Sequence, residues 1–557
     1  MNLNNLDIIH PIDEDSRWWR KSVIYQIYPK SFRDSNGDGI GDLAGITEGL
    51  PVLAELGVDA VWLSPFYKSP QKDGGYDVTD YMQIDPNFGD LQDFARLNHR
   101  ATELNLKTIV DLVPNHCSSE NVHFQAALAA GPGSDQRDMF IFRDGKGPEG
   151  NEPPNNWQSH FAGSAWTRVK EADGNWGQWY LHLFDSSQPD WNWDNPAVHS
   201  MFEEILRFWL DLGVSGFRVD VAGALVKKAG LPDWYGRADG CSSEGSNGVD
   251  APMFGQPAVH DIFRSWRSIL DEYEGDRIMC AEANIDPLSR MADWVRFDEM
   301  HQAFNFGYLH AGWDPGRIRY VINSSFEAFD AVGAPTTWVL SNHDTVRPAS
   351  RFGLNYATEG IGPRDQQPDV ELGLNRARAA ALMTLALPGG AYLYQGEELG
   401  LPDNTMIPGE LRQDPTFARS EGHRVGRDGC RVPIPWTREG DSFGFNSTGN
   451  TWLPQPSDWA EYSREAQEEK EDSTLNLYKH ALNLRKYLDL GDGSFAWIPE
   501  HSHGGVIAFA NRSVIVFCNM GNESVRLPDL PILVGSNLYS GFHGWLEVNQ
   551  TVWLNRG

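Results

Sequence analysis

The sequence predicts an α/β protein: a (β/α)8 TIM barrel, with an inserted subdomain after its third strand and an antiparallel β-domain at its C-terminal end. Three observations carry that expectation. Eight short apolar runs, rich in β-branched residues and bounded by turn formers, recur up to residue 396. Amphipathic stretches lie between them, and such alternation builds a parallel sheet that eight units close. Three long stretches break the rhythm, and none falls inside a strand.

The expected strands are VIYQIYP (23–29), AVWLSPF (60–66), KTIVDLV (107–113), GFRVDV (216–221), RIMCAEA (277–283), AFNFGYL (303–309), TTWVLSNHD (336–344) and AYLYQG (391–396). The stretch 260–273 shows the helical pattern, with Ile262, Phe263, Trp266, Ile269, Leu270 and Tyr273 on one face. Residues 117–185, rich in Gly, Pro, Asn and Trp, read as the inserted subdomain. Residues 397–470 are polar and far longer than an ordinary connection, which marks a lid loop. A helix near 473–488 then leads to VIAFAN (506–511) and SVIVFCN (513–519), which meet at a tight turn. The expected division is barrel 1–116, insertion 117–185, barrel 186–494 and β-domain 495–557.

Lys and Arg number 46 against 77 Asp and Glu, a net charge of −31. Such a surface repels phosphate backbones and anionic lipid, so nucleic acid and membrane are excluded as main partners. A small neutral or cationic ligand fits better. The five cysteines (117, 241, 280, 430 and 518) form no C-x-x-C pair and no disulfide framework. The N-terminal residues resemble no secretory leader, and no apolar run reaches membrane-spanning length. The expectation is a cytoplasmic protein, monomer or homodimer. Its 21 Trp, 17 Tyr and 27 Phe serve a core first, though flat rings with polar edges also suit sugars.

Barrel active sites lie at the C-terminal ends of the strands. There the sequence places Asp111, Asn115 and His116 (strand three), Arg218 and Asp220 (strand four), Glu282 (strand five), and His343 and Asp344 (strand seven). Any one acid could simply cap the helix that follows. Jointly that reading fails, since Glu282 is a poor cap and one face of a barrel gathers them all. Crowded carboxylates cannot all ionise freely, which leaves a proton donor beside a nucleophile. A retaining glycosidase needs that pairing.

DLVPNH, GFRVDVA, the Glu of AEAN and SNHD resemble, in order and spacing, the four short regions of the α-amylase family of glycoside hydrolases. The resemblance is strongest to its oligo-1,6-glucosidase and α-glucosidase group, through YQIYPKSF (25–32), DSNGDGIGDL (34–43), DGGYDVTDY (73–81), QPDWN (188–192) and RVPIPW (431–436). It implies an exo-acting retaining α-glucosidase for short oligosaccharides or α-glucosides. Asp220 then matches the nucleophile, Glu282 the general acid and base, and Asp344 the acid that holds the sugar's 2- and 3-hydroxyls. Arg218 matches the arginine that orients the nucleophile, and His116 and His343 match hydrogen-bonders of the −1 sugar, whose stacking platform is Tyr76. Asp73 and Arg431 match a pair gripping the non-reducing end, and Arg347 an arginine near the pocket. Val221, Trp191, Asn284, Ile434 and Pro435 depart from or vary the group's pattern near the leaving sugar, which bears on linkage. A glucosyltransferase would use the same intermediate. A non-catalytic binding relative would have lost an acid or gained an anchor.

Asp34, Asn36, Asp38, Ile40 (by its carbonyl) and Asp42 have the alternating spacing of a calcium loop, with Gly39 at the sharp turn. Gly45 stands where an EF-hand needs Glu. The resemblance implies a structural Ca2+ or Mg2+ remote from the chemistry; the alternative is a metal-free turn rich in Asx hydrogen bonds. Cys117, beside His116, is expected to be structural.

Overall fold

The structure is a computed structural model that describes residues 6–236, 251–537 and 544–556. Eight parallel strands form the barrel: β1 (Val23–Ile27), β2 (Ala60–Leu63), β3 (Lys107–Leu112), β4 (Gly216–Val219), β5 (Ile278–Ala281), β6 (Gln302–Ala303), β7 (Thr337–Val339) and β8 (Gly390–Tyr394). Their hydrogen-bonded order is β6-β5-β4-β3-β2-β1-β8-β7, so the ring has one seam, between β6 and β7. A backbone hydrogen bond from Asn305 N–H to the Thr337 carbonyl, 3.3 Å long, spans it.

The seam explains two shortened strands. The seven-residue run expected at 303–309 keeps only Ala303 in the two-residue strand, then turns into a short helix, Phe306–Leu309. The Asn305 side chain caps that helix by accepting the Tyr308 N–H at 3.0 Å, a local bond that competes with strand pairing. Beyond β7 the Asn342 side chain likewise accepts the Asp344 N–H at 2.9 Å and ends the extended chain.

The outer helices are α1 (Leu43–Leu56), α2 (Leu91–Glu103), α3 (Pro196–Asp211), α4 (Val259–Leu270), α5 (Pro315–Asp330), α6 (Val370–Leu385) and α7 (Thr474–Tyr487). Polar side chains cap most of their N-termini: Asp42, Asp90, Asn195, Asp314, Asp369 and Ser473 each accept first-turn N–H groups. On α4, Ile262, Phe263, Trp266, Ile269 and Leu270 are buried as their spacing requires, and Tyr273 lies just past its end.

The insertion carries a three-stranded antiparallel sheet, with Trp176–Leu181 between Phe142–Arg143 and Trp166–Lys170. The C-terminal sheet contains β9 (Phe495–Trp497), β10 (Val506–Asn511), β11 (Val514–Asn519), β12 (Ile532–Gly535) and β13 (Gln550–Asn555). The turn between β10 and β11 uses Arg512 at φ 50°. Ile8–His10 adds an antiparallel strand beside β9, so the N-terminal segment completes a sheet built from the other end of the chain. That sheet locks onto α6 through Thr551 Oγ1 to the Ala379 carbonyl (2.8 Å) and Trp553 Nε1 to the Leu382 carbonyl (2.9 Å).

Four cysteines, 117, 280, 430 and 518, are free and buried, and Cys241 lies outside the described residues. Among the described residues no helix is long and apolar enough to cross a membrane.

Candidate active site

Arg218 organises the site. It lies opposite Asp111 in the β4–β3 register, so both side chains leave the same face of the sheet. Its Nη1 donates to Asp111 at 2.8 and 3.1 Å and to Asp220 at 2.7 Å, while Nη2 lies 2.7 Å from Glu282 Oε2. Burial opposes a lone guanidinium, but Asp111, Glu282, Tyr76 and Asp220 hold its pKa well above the ordinary arginine range. Tyr76 Oη and Trp62 Nε1 also donate to Asp111, at 3.1 and 3.2 Å.

Openness divides the acids. The Asp111 side chain is 0% exposed, against 6% for Asp220, 19% for Glu282 and 29% for Asp344. Asp111 therefore holds Arg218, and the other three can meet a ligand. Asp220 and Glu282 share the Arg218 guanidinium, one on each terminal nitrogen. Burial pushes Asp220 well above the ordinary carboxylate range; Arg218 opposes the rise, and Glu282 and Asp111 add to it. Burial likewise lifts Asp111 to about 7 against the pull of Arg218. Crowded on one cation, these carboxyl groups cannot all ionise freely.

A backbone detail aims Glu282. Val221, next to Asp220, has φ 42° and ψ 41°. A β-branched residue in the left-handed region is costly, by about 1–3 kcal/mol. The conformation turns the Val221 N–H onto Glu282 Oε2 at 3.0 Å.

Asp344 has the opposite electrostatics. Its Oδ1 accepts from Arg427 Nη1 at 2.9 Å and Arg431 Nη2 at 2.7 Å. Burial disfavours its charge, but His343, Arg427 and Arg431 outweigh that and hold its pKa far below the ordinary range. His343 is buried, which pushes its own pKa well down. Its Nε2 lies 3.3 Å from Asp344 Oδ2, and its Nδ1 lies 2.6 Å from Gln26 Nε2. Tyr76 stacks on His343, centroids 5.2 Å apart and planes 2° from parallel, so one face of the expected sugar platform is covered by imidazole.

Two arginines take partners that the sequence does not show. Asp73 does not pair with Arg431; its Oδ1 accepts from Arg427 Nη2 at 2.8 Å, and its Oδ2 from Gln188 Nε2 at 3.0 Å. Arg431 turns instead to Asp344 and to the His343 carbonyl, 2.8 Å from its Nε. Arg427 stands just before the one-turn helix Asp428–Arg431, which ends in Arg431. Arg427 also binds Asp414 by Nε at 2.6 Å, which makes three acids on one cation. Burial lifts Asp73 to about 6 despite Arg427 and Arg431. Arg347 points away from the acids. It donates to the Gln395 and Cys430 carbonyls at 2.7 and 2.8 Å, tying the loop that bears Arg431 to the end of β8.

His116 is buried, with Nε2 3.2 Å from Gln188 Nε2. The Arg427 guanidinium lies 5.0 Å from the Phe161 ring, and Arg419 binds Asp185 (3.0 Å) and the Ala162 carbonyl (2.7 Å). The insertion and the 397–470 excursion therefore meet beside Asp73.

In the loop at 34–42, Asp34 accepts N–H bonds from Asn36, Gly37 and Gly39 (3.0, 2.7 and 2.8 Å). Asn36 accepts from Asp38 N–H at 2.9 Å, Asp38 from Ile40 N–H at 2.8 Å, and Asp42 from Ser35 and Gly45 N–H at 3.0 and 2.6 Å. Gly39 takes φ 98°, as the sharp turn requires. Among the described residues no three His, Cys, Asp or Glu side chains gather as a metal cluster. Both Asp34 oxygens and Asp42 Oδ2 already accept two bonds each, whereas Asn36 Oδ1, Asp38 Oδ1 and Asp42 Oδ1 accept one each and keep a lone pair that a hard cation could use.

A (β/α)8 barrel whose strand ends gather carboxyl groups on one arginine, beside a second arginine-bound acid, belongs to the class of enzymes that break glycosidic bonds. Residues 26–491 match the family model of the alpha amylase catalytic domain, and the chain belongs to that family. It is 36% identical to Maltase 1 of Drosophila virilis, over 87% of this chain and 75% of that protein. It is 33% identical to an Oligo-1,6-glucosidase of Parageobacillus thermoglucosidasius, over 92% of each. Among solved structures, an alpha-glucosyl transfer enzyme, XgtA, superposes with a TM-score of 0.83 at 33% identity, covering 97% of this chain and 99% of that one.

Proposed function

We propose that the protein is a retaining, exo-acting α-glucosidase that removes terminal glucose from short oligosaccharides or α-glucosides. The observation that carries this reading is the Arg218 cluster, with Asp220 and Glu282 on two nitrogens of one guanidinium. Two carboxyl groups held by the two terminal nitrogens of one guanidinium sit close together, as retention requires; inversion needs a gap that admits water.

Asp220 attacks the anomeric carbon and forms a glucosyl ester, while Glu282 gives its proton to the departing oxygen. Glu282, now a carboxylate, takes a proton from water, whose oxygen attacks the anomeric carbon and releases Asp220. Arg218 stabilises whichever acid is ionised at each stage. Asp344, held as a carboxylate by Arg427 and Arg431, accepts hydrogen bonds from ring hydroxyls. Asp73 and Arg427 close the non-reducing end, backed by Phe161 and Gln188, and that closure selects single terminal units.

The same glucosyl-enzyme serves a transferase when a sugar or alcohol replaces water, and the likeness to a glucosyl transfer enzyme keeps that second reading in play. A proton NMR time course with maltose, isomaltose and sucrose separates the two. Early α-glucose is the expected result; new glucosyl linkages with lagging glucose would give the transferase, and no change would defeat both readings.

The loop at Asp34, Asn36, Asp38, Ile40 and Asp42 is the proposed seat of a structural Ca2+ or Mg2+, because its side-chain donors are all hard oxygens on alternate residues. The four buried free thiols fit a reducing cytoplasm.

A further inference from the structure

Lys227 lies seven residues beyond Asp220 and takes no part in the mechanism above. Its side chain is only 3% exposed. A buried ammonium is costly unless every proton finds a partner. Here Nζ meets three acceptors from three parts of the chain. Asp190 Oδ2 lies 2.9 Å away, Asn115 Oδ1 2.8 Å, and the Ala224 carbonyl 2.6 Å. Asp190 belongs to the QPDWN segment, Asn115 follows β3, and Ala224 lies in the turn after β4.

Both side-chain partners lead to His116. An ammonium only donates, so it fixes the Asn115 oxygen toward itself and turns the Asn115 NH2 onto His116 Nδ1, 3.1 Å away. Asp190 forms a backbone bridge with His116. Two residues earlier, Gln188 is fixed by the Asp185 N–H on its Oε1 at 2.9 Å, so its NH2 faces His116 Nε2 and Asp73. Both imidazole nitrogens thus face amide NH2 groups: a neutral ring can accept from one of them, an imidazolium from neither.

We propose that Lys227 is a positioning residue for the −1 sugar site: it pins Asn115 and Asp190, and through them it fixes His116 as a neutral ring. Burial, reinforced by the Lys227 charge, pushes the His116 pKa down to about 3, in the same direction. The groups facing the ring are Asn115, Gln188, the Phe184 ring at 5.0 Å and the Tyr76 backbone. The nearby charges are Lys227, Asp190 and, beyond Gln188, Asp73.

The inference rests on the α-glucoside reading, and its test separates the two. Lys227→Met alone would strand the Asp190 charge and can prevent folding. The double variant Asp190→Asn/Lys227→Met removes both charges and nearly keeps the volume. With p-nitrophenyl α-glucoside, its KM should rise about tenfold or more while kcat falls less. The acid limb of kcat/KM should move to higher pH, because Asn115, no longer pinned, ceases to hold its NH2 on His116 Nδ1 and the neutral ring loses that support. A merely structural pair would lower the melting point or the active fraction and move neither quantity. A folded double variant with KM within about threefold of the parent and an unmoved acid limb overturns the proposal. If the double variant does not fold, Asn115→Leu keeps the ion pair and cuts the link to His116; the same KM rise is expected, and an unchanged KM overturns it. A 15N-histidine NMR titration of His116 needs no turnover. Wild-type protein inert on α-glucosides would defeat the glucosidase reading, while an unchanged His116 titration in the variant would defeat this one.

Discussion

The molecule crowds acids twice, and the two crowds are built differently. Between residues 34 and 42 three aspartates and an asparagine each accept backbone N–H groups from their own loop. At the strand ends Asp111, Asp220 and Glu282 instead share one guanidinium, to which the Val221 N–H adds a backbone bond at Glu282. Acids satisfied by their own backbone set a shape. Acids that divide one cation stay poised to exchange a proton or take up a developing positive charge. The residue type is the same, and the source of the hydrogen bonds decides the role.

The sharpest way to break this contrast is Asp220→Asn. The amide keeps the shape and cannot attack the anomeric carbon, so kcat should fall by about 10^4-fold or more. One burdened charge also leaves the Arg218 cluster, so the melting point should stay level or rise. Steady-state assay and calorimetry on the same preparation check both. Activity within about tenfold of the parent removes Asp220 as nucleophile.

Arg427→Ala comes next. It strips a shared cation from Asp73, Asp344 and Asp414 at once. We expect kcat/KM to fall by about 10^2- to 10^3-fold, from loss of charge-assisted contacts at the closed end. Asp73, already lifted to about 6 by burial, should rise further, because its opposing cation is gone. A folded-state pKa raised above the unfolded one gives stability that is full below the ordinary carboxylate pKa and is lost as pH rises through the folded value. In the parent the Asp73 contribution therefore fades up to about pH 6, and in the variant the loss extends to higher pH. Melting curves from pH 4 to 8 test that shift; a superimposable pH dependence would sink the assignment of Arg427 as the partner of Asp73.

Arg427 also marks what was legible in the sequence and what was not. The strand-end acids, Arg218 and the histidines could be read because a barrel sends successive strand ends to one face, whatever the loops do. The partner of Asp73 could not, because it comes from an excursion with little regular period, where neither pattern nor register fixes direction. The partners of Arg347 were hidden for the same reason: nearness to Asp344 in sequence does not show that its guanidinium turns back to the Gln395 carbonyl. The sixth strand looked long because Phe304, Phe306 and Leu309 suit strand or helix equally, and Asn305 decided for the helix by capping it. Lys227 gave no signal, since its partners are distant in sequence and each is ordinary alone.

The mildest test acts on the other acid crowd. Asp34→Ala removes the acceptor of three backbone N–H groups and of Asn446 Nδ2, which bonds Asp34 Oδ2 at 2.7 Å. Partial rehydration offsets some of that loss, so the cost should be about 2–4 kcal/mol, a melting point lower by several degrees. Chelation of the untreated protein should lower it by less, because a chelator removes only the proposed cation and leaves the hydrogen-bond ladder. Both treatments should leave kcat of the folded fraction within about twofold, since the loop builds shape and not charge at the reacting carbon. If chelation leaves the melting point unchanged after prolonged dialysis, the ladder alone holds the loop. If either treatment removes kcat while the fold survives, the division between shape-building and proton-exchanging acids fails.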